Sequence, residues 1–450
     1  MRSTRSTQSR LASTAALFGS TIEWYDFFVY GTAAATVFGP LFFAKSDPST
    51  GLLAAFATFA VGFAARPIGG AVFGHIGDRF GRKRALLATL TIMGAATTLI
   101  GFLPTYASIG TWAPILLVLL RLLQGISVGG EWGGAVLMAG EHAPQSRRTW
   151  HASMAQLGSP LAVLLSLGMF RFATAISGDQ FMTWGWRVPF LFSIVLLVVG
   201  LIIRLRVGES PEFLEVEEKN AVIRQPVIEA FKTSYRPILM MMCAFTIGTA
   251  GFYFTNTFLI SYATVTLSVP RPTVLDSLLI VGVVQFVGQL CAARIAESIG
   301  DVKLLKWAAG LGMLAPYPMF MLVGTKSMLG IVLGVSLATL CGSGFYAVIA
   351  GYASKVFGAN IRYSAISASY QLGGAIFGGF TPMIGVLLSK AYPGQWVPLA
   401  MFYTILSGLS FFGVLMLARN GFGLAMSSTT TDGTVEAYLG RVAASVERAG

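Results

Sequence analysis

The chain has 450 residues, of which 31 are Lys or Arg and 19 are Asp or Glu, so 11% are charged and the formal net charge is +12. A soluble domain is about 25% charged, whereas here nine apolar residue types make up 55% and glycine alone supplies 52 residues. These counts exclude a disordered chain, an ordinary soluble globule and a basic nucleic-acid-binding domain, and leave a chain whose solvent is mostly lipid.

The polar start MRSTRSTQSR leads into an apolar run that reaches about Phe43 and contains Glu23 and Asp26. That run is too long and too acidic for the core of a cleaved signal peptide and reads as a retained first span. Twelve spans near the ~20 residues that cross a bilayer follow in order. Six are expected at roughly 15–43, 52–76, 85–104, 113–140, 152–173 and 187–205, and six at roughly 237–262, 274–293, 304–323, 327–351, 364–389 and 396–418. Backbone groups in lipid must bond internally, and segments of this length do so as helices. The expected fold is therefore an all-α membrane protein of twelve transmembrane helices in two six-helix bundles.

Placing both termini in the cytoplasm puts 23 of the 31 basic residues on that side. Six fall outside (Lys45, Arg171, Arg187, Arg271, Lys326 and Lys390), and Arg66 and Arg121 lie within spans. The opposite topology would reverse the bias. Residues 207–235 carry nine charges, and Ser210-Pro211-Glu212 has the order of a helix start. The expected organisation is a bundle over 1–206, a cytoplasmic linker over 207–235, a second bundle over 236–419 and a cytoplasmic tail over 420–450.

The halves read as copies. Gly74-His-Ile-Gly-Asp78-Arg79-Phe80-Gly81-Arg82-Lys83-Arg84 follows the second span, and Ala293-Arg-Ile-Ala-Glu297-Ser-Ile-Gly300-Asp301-Val-Lys303 follows the eighth. Arg147…Gln156-Leu157-Gly158 is matched by Arg362…Gln371-Leu372-Gly373 with the same internal spacing. Parallel repeats of six spans are a transporter architecture, with the site between the halves near mid-membrane.

The loop Gly74…Asp78-Arg79-Phe80-Gly81-Arg82-Lys83-Arg84 resembles the signature of the major facilitator superfamily, and the resemblance covers nearly the whole chain. Glu23-Trp24-Tyr25-Asp26-Phe27, Arg66-Pro67-Ile68-Gly69-Gly70, Arg121-Leu-Leu-Gln124-Gly125…Gly129-Gly130-Glu131 and Ser210-Pro211 are similar to the metabolite:proton symporters, most of all the shikimate-type carriers. Dicarboxylate, citrate and proline/betaine carriers stand beside them. The resemblance implies alternating access at a cytoplasmic (inner) membrane. It also implies that Gly74, Asp78, Arg79, Gly81 and Arg82, with Arg66, form a gate that locks the halves in one state, and that spans one and four line the central cavity.

Away from the span ends, five ionisable residues fall at depth, all in the first half: Glu23, Asp26, Arg66, Arg121 and Glu131; Asp276 and Arg294 of the second half sit near span ends. A charge at a helix centre costs roughly 2.5–3.5 kcal/mol on insertion scales, so these groups must be paired, hydrated or neutralised. Glu23 and Asp26 are i, i+3 and share a face; Arg121, Gln124 and Glu131 form a polar stripe on an apolar helix. Asp26, Glu23 and Glu131 are the candidates for proton coupling, with static ion pairing the competing role for Glu131 and Arg66. Arg121 either grips a substrate carboxylate through its forked donors or pairs with Asp26. The remaining candidates for substrate contact are Gln124, Tyr25 and Gln156, and in the second half Tyr253, Asn256 and Gln371. His75, His142 and His151 read as solvated residues at cytoplasmic ends, and Trp184, Trp186 and Trp396 as interfacial anchors.

No nucleophile–base set, metal spacing or phosphate-cradling loop is present, so no enzyme, metal or cofactor is expected. The sequence leads to a secondary transporter, working as a monomer, that brings in a small organic acid with protons. The alternatives are a proline- or betaine-type osmolyte importer and an exporter of the same fold.

Overall fold

The computed structural model describes residues 2–43, 47–80, 82–129, 131, 156–206, 208, 226–357 and 362–421. Its helices are α1 (Arg2–Ala33), α2 (Pro48–Phe80), α3 (Arg82–Phe102), α4 (Trp112–Val128), α5 (Gly158–Ser177) and α6 (Val188–Arg206). After these come α7 (Pro226–Thr246), α8 (Arg271–Ile299), α9 (Asp301–Leu314, resumed as Pro316–Val323), α10 (Met328–Val356), α11 (Arg362–Gly373, resumed as Thr381–Ala391) and α12 (Val397–Arg419). Each expected span has its helix. Among the described residues, nine helical stretches are long and apolar enough to cross a membrane. The other three are α1 with its acids, the shorter α4, and α9, which breaks where Pro316 withholds an N–H.

Two features depart from the sequence reading. The motif from Gly74 was read as a loop after the second span, but α2 runs on through Phe80. Gly81 and the side chains of Asp78, Arg79 and Arg82 lie outside the described residues, as do residues 209–225 of the expected linker and the tail beyond Gly421. Second, the helices slip into π-helical turns at Ala34–Phe38 after α1, at Ile247–Gly251, Phe254–Phe258 and Tyr262–Thr266 beyond α7, and at Gly374–Gly378 within α11. Each such turn widens the helix by a residue and re-aims its carbonyls, a habit of functional segments.

The glycine surplus has a physical use where helices cross. A Cβ on Gly69 would collide with the Ile126 carbonyl, one on Gly125 with the Gly62 carbonyl, and one on Gly129 with the Arg66 carbonyl. The backbones of α2 and α4 therefore meet without side chains between them, the small-residue packing of membrane helices. Leu119 and Leu123 on the far side of α4 are exposed, while Arg121, Gln124 and Ser127 are buried. Val195, Val198 and Ile202 on α6 are likewise exposed, so apolar side chains face outward and polar ones inward.

Helices α1–α6 and α7–α12 meet along two seams, α2 against α11 and α5 against α8. Adding six to each label exchanges these seams, as a twofold relation between repeats requires. Where α5 meets α8, Arg171 bonds Asp276 at 2.7 Å, and Gly282 lies against Val163 and Leu164. The two helices therefore run antiparallel. Arg271, at the start of α8, donates to the Thr36 carbonyl at 3.1 Å, an acceptor in the π turn after α1. Its guanidinium also lies 4.7 Å from the centre of the Phe181 ring. On the other seam Gln371 Nε2 donates to the Gly129 carbonyl at 3.0 Å.

Candidate functional site

The interior of the first six helices holds all the buried charge of the described residues. Glu23, Asp26, Arg66, Arg121 and Glu131, placed at depth by sequence, are each at most 4% exposed. A sixth member is Arg204, which the topology count had assigned to the cytoplasm. It is 8% exposed and forms an ion pair with Glu131. Its guanidinium fits a notch at Gly19, where a Cβ would stand 2.7 Å from Nη2. The signal for Arg204 was weak, since it lies at the end of an apolar run and its burial depends on a glycine of another helix.

Arg121 is fully buried and held from three sides. Gln124 accepts from its Nη1 at 3.1 Å and itself donates through Nε2 to Thr97 Oγ1 at 2.6 Å, so α3 and α4 orient the guanidinium together. The guanidinium carbon lies 4.1 Å from the centre of the Tyr30 ring, 4.4 Å from Phe27 and 5.0 Å from Phe59. Gly62 leaves the room, because a Cβ there would run into Arg121 Nε. Nε and Nη2 have no hydrogen-bond partner among the described residues. A buried guanidinium needs acceptors for its donors, and a carboxylate can supply two at once.

Asp26 does not pair with Arg121. Ser193 on α6 donates to its Oδ1 at 2.9 Å, and Oδ2 has no partner among the described residues. Glu23 Oε2 is likewise open. Arg66 lies between two rings, 4.1 Å from the centre of Phe27 and 4.0 Å from that of Phe63, with Tyr253 beside it. The ring of Phe27 thus serves both Arg66 and Arg121, and such cation–π contacts steady the guanidiniums without neutralising them.

Next to these groups an aromatic cluster joins the two halves. Trp24 stacks on Phe28 at 5.7 Å, and Phe28 meets Phe252 at 5.0 Å. Tyr253 lies 5.0 Å from Phe63, 5.3 Å from Phe59 and 6.3 Å from Trp24, and Trp24 meets Tyr346 edge-on at 6.1 Å. Phe28, Phe59, Phe63 and Phe252 were not foreseen, since phenylalanines in an apolar run carry no distinguishing mark.

The other candidates divide. Tyr25 turns away from the charges and donates to the Pro189 carbonyl at 2.8 Å, so it ties α1 to α6. Asn256 bonds the Phe252 carbonyl and Thr255, leaving Oδ1 open. Gln371 bridges the halves as described. Gln156, with Gln285 and Gln289 on α8, is buried with neither amide atom partnered among the described residues. The acidic and basic groups with open atoms thus lie in the first half, and the second half contributes amides and phenols.

A twelve-helix frame that buries a cluster of charges inside its first half is the architecture of a membrane transporter. The family model "Sugar (and other) transporter" matches residues 12–224. The chain is 39% identical to the shikimate transporter of Escherichia coli (strain K12) over 88% of its own length and 91% of that protein. It is 36% identical to the inner membrane metabolite transport protein YhjE of the same strain, over 89% and 92%. Against the proline/betaine transporter of Salmonella typhimurium the identity is 32%, over 86% and 79%. Among solved structures, the proton:xylose symporter XylE bound to 6-bromo-6-deoxy-D-glucose superposes with a TM-score of 0.74 at 18% identity, covering 92% and 96%, a likeness of fold alone. The chain belongs to the major facilitator superfamily, beside its metabolite transporters.

Proposed function

We propose that the protein is a proton-coupled importer of a small organic acid, a shikimate-like or di- or tricarboxylate metabolite, at the cytoplasmic membrane. The observation that carries this reading is Arg121, fully buried with Nε and Nη2 unpartnered among the described residues. An arginine fork set among aromatic rings recognises a carboxylate through charge-assisted, bidentate bonds. Asp26 takes up the proton, with Glu23 next to it on the same face. Proton binding cancels the carboxylate, and the substrate anion then answers Arg121, so each favours the arrival of the other. The bundles 1–206 and 236–419 rock about the seams, a monomer suffices, and both termini stay in the cytoplasm. The relative named for shikimate supports the choice of acid.

The aromatic cluster suits a quaternary ammonium group in principle, and one relative is named for proline and betaine. Here the rings of Phe27, Tyr30, Phe59 and Phe63 already face arginines, which favours an anion.

Proteoliposomes containing the protein, given shikimate, a dicarboxylate, a tricarboxylate or betaine, provide the test. At least one acid is expected to accumulate with alkalinisation of the medium. No pH change and no accumulation with any acid overturns the reading, and uptake of betaine alone replaces it.

A further inference from the structure

Gln124 has the chemistry to touch a substrate, yet both ends of its amide are engaged inside the protein. Its Oε1 accepts from Arg121 Nη1 at 3.1 Å, and its Nε2 donates to Thr97 Oγ1 at 2.6 Å. Thr97 in turn donates to the Met93 carbonyl at 3.0 Å, one turn back on α3. The ends of this chain fix its direction. A guanidinium only donates, so the amide oxygen must face Arg121. The Thr97 hydrogen is committed to Met93, so the Thr97 oxygen must accept from the amide. Reversing the amide would set an NH2 group against the guanidinium and lose both bonds at once. Thr97 and Arg121 are fully buried and Gln124 is 1% exposed, so solvent does not replace a partner lost there.

This chain decides which edge of Arg121 is offered. A guanidinium has two edges that can meet both oxygens of a carboxylate, Nη1 with Nη2 at its end and Nε with Nη2 at its side. Gln124 engages Nη1, and the edge whose two nitrogens are both unpartnered among the described residues is Nε with Nη2. The Tyr30 and Phe27 rings steady the guanidinium through their faces and occupy no donor, and Tyr30 is itself bonded to Thr58 at 2.6 Å. We infer that Thr97 and Gln124 are positioning residues: they hold Arg121 so that a substrate carboxylate meets it side-on, at Nε and Nη2, and neither of them touches the substrate. Gln124, expected from the sequence to contact substrate, acts through Arg121 instead. Thr97 sets affinity from α3, a helix whose Ile92, Leu99 and Phe102 are exposed. This deepens the reading of Arg121 as the carboxylate fork and rests on it, whichever acid is carried.

The test is a double-mutant cycle on the full-length protein, read in two ways. In lipid nanodiscs without ligand, the magnetic-resonance signal of isotope-labelled arginine Nε–H that Arg121→Lys removes reports how firmly the guanidinium is held. Thr97→Val keeps the shape and deletes the hydroxyl, and should speed hydrogen exchange of that Nε–H by about fivefold, the effect of one neutral hydrogen bond. Thr97→Ser should restore the wild-type rate. In a Gln124→Ala background Thr97→Val should change nothing further, because its effect runs through the amide. In proteoliposomes given shikimate, Thr97→Val should raise KM by about fivefold with the maximal rate unchanged, again only while Gln124 is present. An exchange rate that Thr97→Val leaves unmoved, or moves equally with and without Gln124, overturns the proposal. So does a KM raised by Gln124→Ala as much in an Arg121→Lys background as in wild type, since Gln124 would then touch the substrate itself. If Thr97→Val does not fold, Thr97→Ala takes its place. The exchange measurement needs no substrate, so a failure of acid transport and a failure of positioning are read separately.

Discussion

Arg121 combines an oriented fork with open donors, and its replacement separates charge from geometry. Lysine keeps the charge but cannot present two parallel donors or hold Gln124 in the same way. A charge-assisted hydrogen bond is worth about 1.5–3 kcal/mol. Arg121→Lys is therefore expected to raise KM for the transported acid by roughly 10- to 100-fold, and Arg121→Ala to abolish saturable uptake, both measured in proteoliposomes. Asp26→Asn makes a different cut. The proton site is lost while the fork remains, so counterflow of labelled substrate should persist and accumulation driven by a pH gradient should vanish. If counterflow and accumulation fall together, Asp26 binds substrate rather than protons.

At the scale of helices, the α2–α4 crossing depends on absent side chains. Gly69→Ala and Gly129→Ala would each place a methyl group against backbone, which cannot move as a flexible side chain can. The expected cost is on the order of 1–3 kcal/mol of stability, read as a lowered unfolding midpoint in detergent. Gly168 in α5 is the control, since a Cβ there meets nothing within 4 Å. Gly168→Ala should be neutral, or stabilising by up to about 1 kcal/mol.

These helices also show what the sequence carried and what it did not. Twelve apolar runs and five charges within them were plain because charge is scarce and hydropathy is a local signal. Arg204 was misplaced because its environment is made by Gly19 and Glu131, both distant in the chain. The π turns were not read from the sequence: their residues are rich in Gly and Thr, weak helix formers that sit throughout these apolar runs, and the extra residue is accommodated by packing against other helices. Tyr25 stood in the right motif, but one position of helical rotation separates the face with Asp26 from the face against Pro189. Gln156 was found by its place in a repeat rather than by its chemistry.

For the whole molecule, the bonds across the α5–α8 seam determine how readily that end opens. Arg171 and Asp276 are 38% and 37% exposed, so their ion pair is worth at most ~1 kcal/mol. Asp276→Asn is expected to speed labelling of a cysteine placed at Ser277 by an impermeant maleimide up to about fivefold, in a background lacking Cys243, Cys291 and Cys341. Arg271→Gln, which also releases Thr36 and Phe181, should act in the same direction. Unchanged labelling in both variants would mean that the seam is held by apolar packing alone.

The one-sided distribution of buried charge has a consequence for membrane voltage. Among the described residues, three arginines and three carboxylates are enclosed in the first half and none in the second. Moving one elementary charge through 100 mV takes about 2.3 kcal/mol, so a net charge on the moving half would make its turnover respond to potential. Three against three sums to zero, and a carboxylate substrate entering with one proton adds zero again. Uptake of a monocarboxylate should therefore follow an imposed pH gradient and be indifferent to a potassium diffusion potential set with valinomycin, whereas a dicarboxylate carried with one proton should be driven outward by an inside-negative one.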